Sequence, residues 1–260
     1  MARLCFVEAI IGGVQKSGTT SLFSYMSEHS QLAGPIRKEA HFFDDETLNW
    51  ANPDYSLYHR FFAQSETVRF SFESTPVYLF WPPALARIRD YNPAMRLIFL
   101  FRDPIERAWS HWCMEYARSA EELPFAAAIR HGRWRLRGIG PLQSQSRVYS
   151  YVERGFYGQQ VRRALSFFPR DQLLFLRSVD LLGNLDATML QITEFLGIDA
   201  FPPLRPRIER PRPKFDYPST LTAADVAYLA EIFLPEVTDF AALTGLRVDD
   251  WLTVRAGHGG

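Results

Sequence analysis

The stretch Gly13-Val14-Gln15-Lys16-Ser17-Gly18-Thr19-Thr20 gathers two glycines, one lysine and three hydroxyl side chains in eight residues. An apolar run at 4–14 leads into it. A helical pattern at 19–28 follows, with Leu22, Phe23 and Met26 on one face. A strand, a glycine-bearing loop and a helix together make an anion cradle. Backbone N–H groups at the helix N-terminus point at the ligand, and the helix dipole favours negative charge. The nucleoside-triphosphate loop reads G-x-x-x-x-G-K-[ST]. Here the glycines match at Gly13 and Gly18, but Thr19 stands in the lysine position and the loop's one lysine is Lys16. A kinase or NTPase needs that lysine on the β- and γ-phosphates, with Mg²⁺. A loop with Lys16 and two threonines suits a shorter phosphate chain read without metal. An ordinary glycine turn capped by Ser17 or Thr19 fits the same residues, so the loop alone leaves both readings open.

Two further constellations bear on the choice. Arg37-Lys38-Glu39-Ala40-His41-Phe42-Phe43-Asp44 sets bases, acids and an imidazole within a few residues. By itself it reads equally as a solvated Lys38–Glu39 pair with His41 packed on Phe42 and Phe43. Arg102-Asp103-Pro104 follows an apolar run, with Arg107 and Ser110 beyond it. Arg102 sits where a strand ends and Ser110 is two helical turns on, so both can face one crevice.

Taken in order, these motifs resemble the sulfotransferases that use 3′-phosphoadenosine 5′-phosphosulfate (PAPS). The branch most similar is that of the heparan-sulfate N- and O-sulfotransferases and their bacterial small-molecule relatives. Residues 13–20 resemble its 5′-phosphosulfate loop, 38–44 its Lys-Glu-x-His-Phe-Phe-Asp motif, and 102–110 its 3′-phosphate motif. Glu73-Ser74-Thr75-Pro76-Val77-Tyr78 resembles its Ser/Thr-Pro-x-Tyr segment, and residues 155–169 its Gly-x-Tyr…Phe-Pro helix. The likeness spans roughly residues 8 to 251.

The resemblance implies sulfuryl transfer from PAPS, as co-substrate and without metal, to a hydroxyl, less readily an amine, of a small metabolite or glycan. Lys16 and the amides of Ser17, Gly18, Thr19 and Thr20 would hold the 5′-phosphate and the bridging oxygen. Arg102 and Ser110 would bind the 3′-phosphate. Glu39 would be the base, His41 an alternative base or an orienting group, and Lys38 a group that holds the sulfuryl or depresses the Glu39 pKa. Arg212 and Lys214 stand where polysaccharide members carry a Lys-Gly-Arg loop over the cofactor. Here the Lys-Gly-Arg order is absent, and neither Cys5 nor Cys113 is near enough in sequence to bridge that loop. Ser74 also replaces a lysine found in several polysaccharide members, which favours a metabolite over an acidic polymer. The rival readings are a P-loop nucleotide kinase or NTPase and a non-catalytic nucleotide-binding module.

Elements able to position these residues alternate in type. Strands are expected at 4–14, 68–72, 96–101 and 172–176. Helices are expected at 19–28, 82–90, 104–118, 125–135, 157–168 and 186–196, the last stopped by Gly197. Two short helices, 222–233 and 236–243, close the chain. Such alternation predicts an α/β fold: a P-loop-like single domain over residues 1–260 whose central, mostly parallel sheet is flanked by helices. Ligands then sit at the carboxyl ends of the strands. Residues 202–218, rich in Pro and Arg, are expected to be irregular, with the C-terminal helices lying within 219–251.

The chain of 260 residues carries 29 Lys+Arg against 29 Asp+Glu. That balance offers no global attraction to nucleic acid or to an anionic membrane, so anion binding must be local. Two cysteines make no disulfide framework, and both read as buried thiols of a reducing compartment. No apolar stretch reaches the ~20 residues of a membrane span, and the N-terminus lacks a signal pattern, which points to the cytoplasm. The aromatic-rich stretch from Phe42 to Phe62 can be core or the wall of an acceptor site. The cluster Arg133, Arg135 and Arg137 can be a solvated face or a contact for an anionic acceptor. Oligomeric state is not legible, and a homo-oligomer stays open.

Overall fold

Five parallel strands organise the chain in the computed structural model, which describes residues 6–62, 68–138, 142–207, 209 and 215–257. Cysteine 5 and the basic pair Arg212 and Lys214 lie outside the described residues. The chain divides into two compact units, residues 1–101 with 164–210, and residues 102–163 with 211–260.

The first unit holds the sheet, in the order β2-β3-β1-β4-β5. Its strands are β1 (Val7–Gly13), β2 (Leu32–Ala33), β3 (Phe70–Ser74), β4 (Arg96–Phe101) and β5 (Leu173–Arg177). Strand β1 lies at the centre, paired with β3 on one side and β4 on the other. Central parallel strands are covered on both faces and so read as unbroken apolar runs. That is why β1 and β4 stand out in the sequence and the two-residue edge strand β2 does not. One face packs against α1 (Thr19–Met26) and α9 (Leu185–Leu196), with Leu22, Tyr25, Met26, Met189 and Ile192 buried on Ile11, Ile98 and Leu100. Gly197 ends α9 in the left-handed conformation, φ 62°. The remaining helices of this unit are α2 (Tyr55–His59), α3 (Ala84–Tyr91) and α8 (Ser178–Gly183). The aromatic residues from Phe42 onward form core: Phe42, Phe43, Tyr58 and Phe62 are buried, and Phe43 meets Tyr58, Tyr78 and Tyr91 at 5.0–5.6 Å between ring centres.

The second unit is helical. Helix α4 (Pro104–Ala117) starts at Asp103, whose carboxylate accepts from the Glu106 amide at 2.9 Å, with Pro104 in the first turn. Next come α5 (Phe125–Ile129), a 3₁₀ segment (His131–Leu136) and α6 (Ser144–Tyr149). The expected 125–135 helix thus breaks after Ile129. Helix α7 (Tyr157–Phe167) follows, and α10 (Ala223–Thr244) and α11 (Leu252–Gly257) end the described chain. Helix α10 corrects the expected pair: it runs through Pro235 as one helix of 22 residues. A buried stripe of Leu229, Phe233, Val237, Phe240 and Thr244 continues on both sides of the proline. That packing outweighs the single amide lost at Pro235. Among the described residues no helix is long and apolar enough to cross a membrane.

Candidate active site

Three constellations carry chemistry, two in the first unit and one in the second. The first is the loop after β1. The Val14 amide donates to the Leu100 carbonyl at 2.9 Å, so the strand keeps its pairing to the loop's edge. A Cβ on Gly12 would sit 2.9 Å from the Phe99 ring, a close approach that only glycine permits. The chain then turns back, with the Ser17 amide donating to the Val14 carbonyl at 3.3 Å. Lys16 has φ 75° and Gly18 has φ 93°, both left-handed. At Gly18 that conformation is cheap, and Gly18 is the residue from which α1 departs. The helix ladder begins with the Leu22 amide on the Gly18 carbonyl, which leaves the amides before Leu22 without a partner inside the helix. No acidic residue occupies the first turn. The Ser17 side chain is 1% exposed, yet its hydroxyl has no hydrogen-bond partner among the described residues. A cradle with a cation in its turn, first-turn amides and a buried unmatched hydroxyl suits an anion.

The second constellation is a string of alternating charge. Lys38 Nζ lies 2.7 Å from Glu39 Oε1, Glu39 Oε2 lies 3.4 Å from His41 Nε2, and His41 Nδ1 lies 2.9 Å from Asp44 Oδ2. Asp44 is fully buried, whereas the Glu39 and His41 side chains stay partly open. The segment is irregular, and both Glu39 (φ 65°) and His41 (φ 52°) adopt the left-handed backbone that costs a non-glycine residue ~1–2 kcal/mol. The 73–78 segment enforces it. Thr75 Oγ1 accepts from the His41 amide at 3.4 Å, and the Tyr78 hydroxyl accepts from the Phe42 amide at 3.2 Å.

The titration of this string follows from its geometry. The hydrogen bonds to Asp44 and Glu39 raise His41 to about 9, against the pull of burial. Burial would raise Glu39, but hydrogen bonds from His41 and Lys38 and their charges bring it down to about 2. At neutral pH Glu39 is therefore a carboxylate and His41 an imidazolium. Glu73 lies at the end of β3. Burial pushes it up to about 7, opposed by the hydroxyls of Thr75, Tyr78 and Tyr58 and assisted by the charge of Asp44.

The third constellation opens the second unit. Arg102 directly follows β4, and its Nε donates to Glu106 Oε2 at 2.8 Å. The Tyr157 hydroxyl donates to the Arg102 carbonyl at 3.0 Å. Asp103 holds two elements at once, because its Oδ2 also accepts from the Thr253 amide at 2.8 Å and from the Thr253 hydroxyl at 2.7 Å. Ser110 is buried in α4. Two arginines of the 133–137 cluster are ion-paired within this unit. Arg133 pairs with Glu153 at 2.8 Å, and Arg135 pairs with Glu121 at 2.7 Å and stacks on Tyr149. Cys113 is buried, as expected.

The structure brings Lys38, Glu39 and His41 into one hydrogen-bonded string and keeps Lys16 to Thr20 in one turn. Sequence reasoning assigned no role to Asp44, Thr75 or Tyr78, although it quoted all three. The acid three residues after His41 was the available signal. The two hydroxyls act on backbone amides 34 and 36 residues away, which leaves no local pattern.

A family model described as "Sulfotransferase domain" matches residues 8–212. The chain belongs to the sulfotransferase family. It is 29% identical over 199 residues to heparan sulfate glucosamine 3-O-sulfotransferase 6 of Mus musculus, covering 75% of this chain and 54% of the relative. It is 25% identical over 198 residues to bifunctional heparan sulfate N-deacetylase/N-sulfotransferase 4 of Mus musculus, covering 73% of this chain and 22% of that protein. The chain thus spans about half the length of the 3-O-sulfotransferase relative. The crystal structure of a sulfotransferase from Alicyclobacillus acidocaldarius matches with a TM-score of 0.77 at 25% identity, covering 96% of this chain and 99% of that one. Both first-unit constellations and the 102–110 motif fall inside the sulfotransferase match.

Proposed function

We propose that this chain transfers the sulfuryl group of PAPS to an acceptor hydroxyl, with Glu39 as the base. The observation that carries the reading is the Gly18 turn. Inside a sulfotransferase domain it presents a lysine-bearing loop and an acid-free helix start to an anion. Lys16 and the amides of residues 17–20 are assigned the 5′-phosphosulfate, and the buried Ser17 hydroxyl supplies a donor that nothing described now uses. Arg102 and Ser110 are assigned the 3′-phosphate, for which a planar guanidinium offers bidentate contact. Arg212 and Lys214 are retained as further cations toward the same donor.

In the step proposed, the acceptor oxygen attacks sulfur and its proton passes to Glu39. The bond from sulfur to the bridging oxygen breaks, and the electron pair leaves on the 5′-phosphate, beside Lys16. The ionisation of the string supports this division of labour. An imidazolium at His41 cannot take the proton, whereas an ionised Glu39 can. A carboxylate near 2 is a weak base at rest. Burial is the largest single influence on Glu39, so an acceptor that displaces water raises its basicity when it is needed. The relatives named above carry heparan sulfate in their names. Ser74, buried and uncharged, favours a neutral metabolite hydroxyl over an acidic polymer.

The test is turnover with labelled PAPS across an acceptor panel. Glu39→Gln is expected to lose ~10²–10⁴-fold in kcat with donor affinity unchanged. Lys16→Ala is expected to lose ~10²–10³-fold. Near-wild-type turnover in either variant would remove that residue from the assignment.

A further inference from the structure

Glu73, near the end of β3, is fully buried, and the residue in register with it on β1 is the apolar Ile10. Its two carboxyl oxygens close no hydrogen bond of ordinary geometry among the described residues. Three hydroxyls and a second acid face it: Thr75 and Tyr78 from the turn after β3, Tyr58 from α2, and Asp44 from the segment that carries His41. Asp44 adds charge of the same sign, and burial, the largest influence, pushes Glu73 up to about 7. A buried carboxylate held this way is costly. A glutamine of the same shape would avoid the cost.

Two of the three hydroxyls reach the charged string. Thr75 Oγ1 accepts from the His41 amide at 3.4 Å. The Tyr78 hydroxyl accepts from the Phe42 amide at 3.2 Å and from the Phe43 amide at 3.4 Å. These amides belong to the irregular segment in which Glu39 and His41 keep left-handed backbone. A hydroxyl whose oxygen accepts from an amide still has its own hydrogen to place. Negative charge at Glu73 draws both hydrogens towards itself and leaves both oxygens turned to the amides. A protonated carboxyl group is a donor at the same place and competes with the amides for those oxygens.

We propose that Glu73 is a positioning residue for the base: as a carboxylate it orients the Thr75 and Tyr78 hydroxyls onto the amides of residues 41–43, and so holds Glu39 and His41 in place. It touches no reactant, and the inference rests on the reading of Glu39 as the base. A pH signature follows. Glu39 titrates at about 2 and His41 at about 9, so neither changes charge near neutrality. Turnover that falls as pH drops through about 7 then reports protonation of Glu73.

The experiment measures kcat against pH with labelled PAPS and the panel acceptor that the wild type turns over fastest, in wild type, Glu73→Gln, Tyr78→Phe and the double variant. Affinity for 3′-phosphoadenosine 5′-phosphate (PAP) and thermal unfolding are recorded for each. On the alkaline side of about 7, Glu73→Gln is expected to lose ~10–100-fold in kcat while PAP affinity is kept. Its acid limb disappears, and it unfolds no earlier than wild type, because a buried charge has been removed. In the double variant, Glu73→Gln adds less than it costs alone, since both changes break one relay. Unchanged kcat with an unchanged acid limb, or losses of kcat, PAP affinity and stability together, would overturn the proposal. If Glu73→Gln does not fold, the wild type decides by nuclear magnetic resonance: the His41 and Phe42 amide signals are expected to shift together through about 7, and signals that stay still overturn the relay. Glu39→Gln is the control. Near-wild-type turnover in it overturns the base reading itself, whereas a dead Glu39→Gln beside an unaffected Glu73→Gln overturns this inference alone.

Discussion

His41 holds its proton at neutral pH because Asp44, fully buried, and Glu39 face its two ring nitrogens. A nuclear magnetic resonance titration is expected to place it at about 9, and Asp44→Asn is expected to bring it down toward 6.5, since the Asp44 hydrogen bond is the largest cause of the shift. A pKa unchanged by Asp44→Asn would dissolve the string. The linkage has a definite sign. His41 is raised, so its stabilising contribution is complete below about 6.5 and is lost as pH climbs through about 9. Glu39 is lowered from 4.5 to about 2, so its contribution is complete above 4.5 and is lost as pH falls through about 2. The residue types of the string were legible because Lys38, Glu39 and His41 lie within four positions of one another. Which nitrogen meets which carboxylate was not. That follows from two left-handed residues held by Thr75 and Tyr78, partners set by the fold rather than by neighbours in sequence.

Strands with an apolar run of four residues or more announce themselves, the edge strand β5 (expected at 172–176, found at 173–177) included. Strand β4 falls at 96–101 as expected from its unbroken apolar run, while β2 has two residues and β3 begins two residues later than the pattern suggests. Two turns make separable predictions. A Cβ on Gly18 would meet nothing closer than 3.6 Å, so Gly18→Ala tests conformation without crowding. At φ 93° it is expected to cost ~1–2 kcal/mol in denaturant unfolding and to weaken donor binding. Unchanged stability and affinity would mean the loop does not need the turn. In α10, Pro235 is exposed and lies inside the continuous helix. Pro235→Ala is expected to raise stability by up to ~3 kcal/mol. A loss instead would show that the helix needs the proline. Proline is a sound stop signal locally. The break expected between 233 and 236 does not occur because a buried stripe five residues strong spans it, and burial of that kind outweighs one amide.

Over the whole molecule, 29 basic and 29 acidic residues cancel, so affinity for anions resides in sites rather than in a field. A heparin column is expected to release the chain at about 0.15 M salt, where surface attraction is already largely screened. Retention at several times that concentration would favour a polyanionic acceptor over a neutral metabolite. The family was legible because its motifs are short, contiguous and in order. The acceptor was not, because acceptor specificity is written in side chains scattered through the fold. The central claim is that the chain reads a 3′,5′-bisphosphorylated adenosine, and the most direct measurement is calorimetric titration with PAP. It is run beside ATP with Mg²⁺, on wild type and Arg102→Ala. The account predicts tight binding of PAP without added metal, weakened at least tenfold in Arg102→Ala, and no preference for ATP with Mg²⁺. No binding of PAP, or a preference for ATP with Mg²⁺, would contradict it.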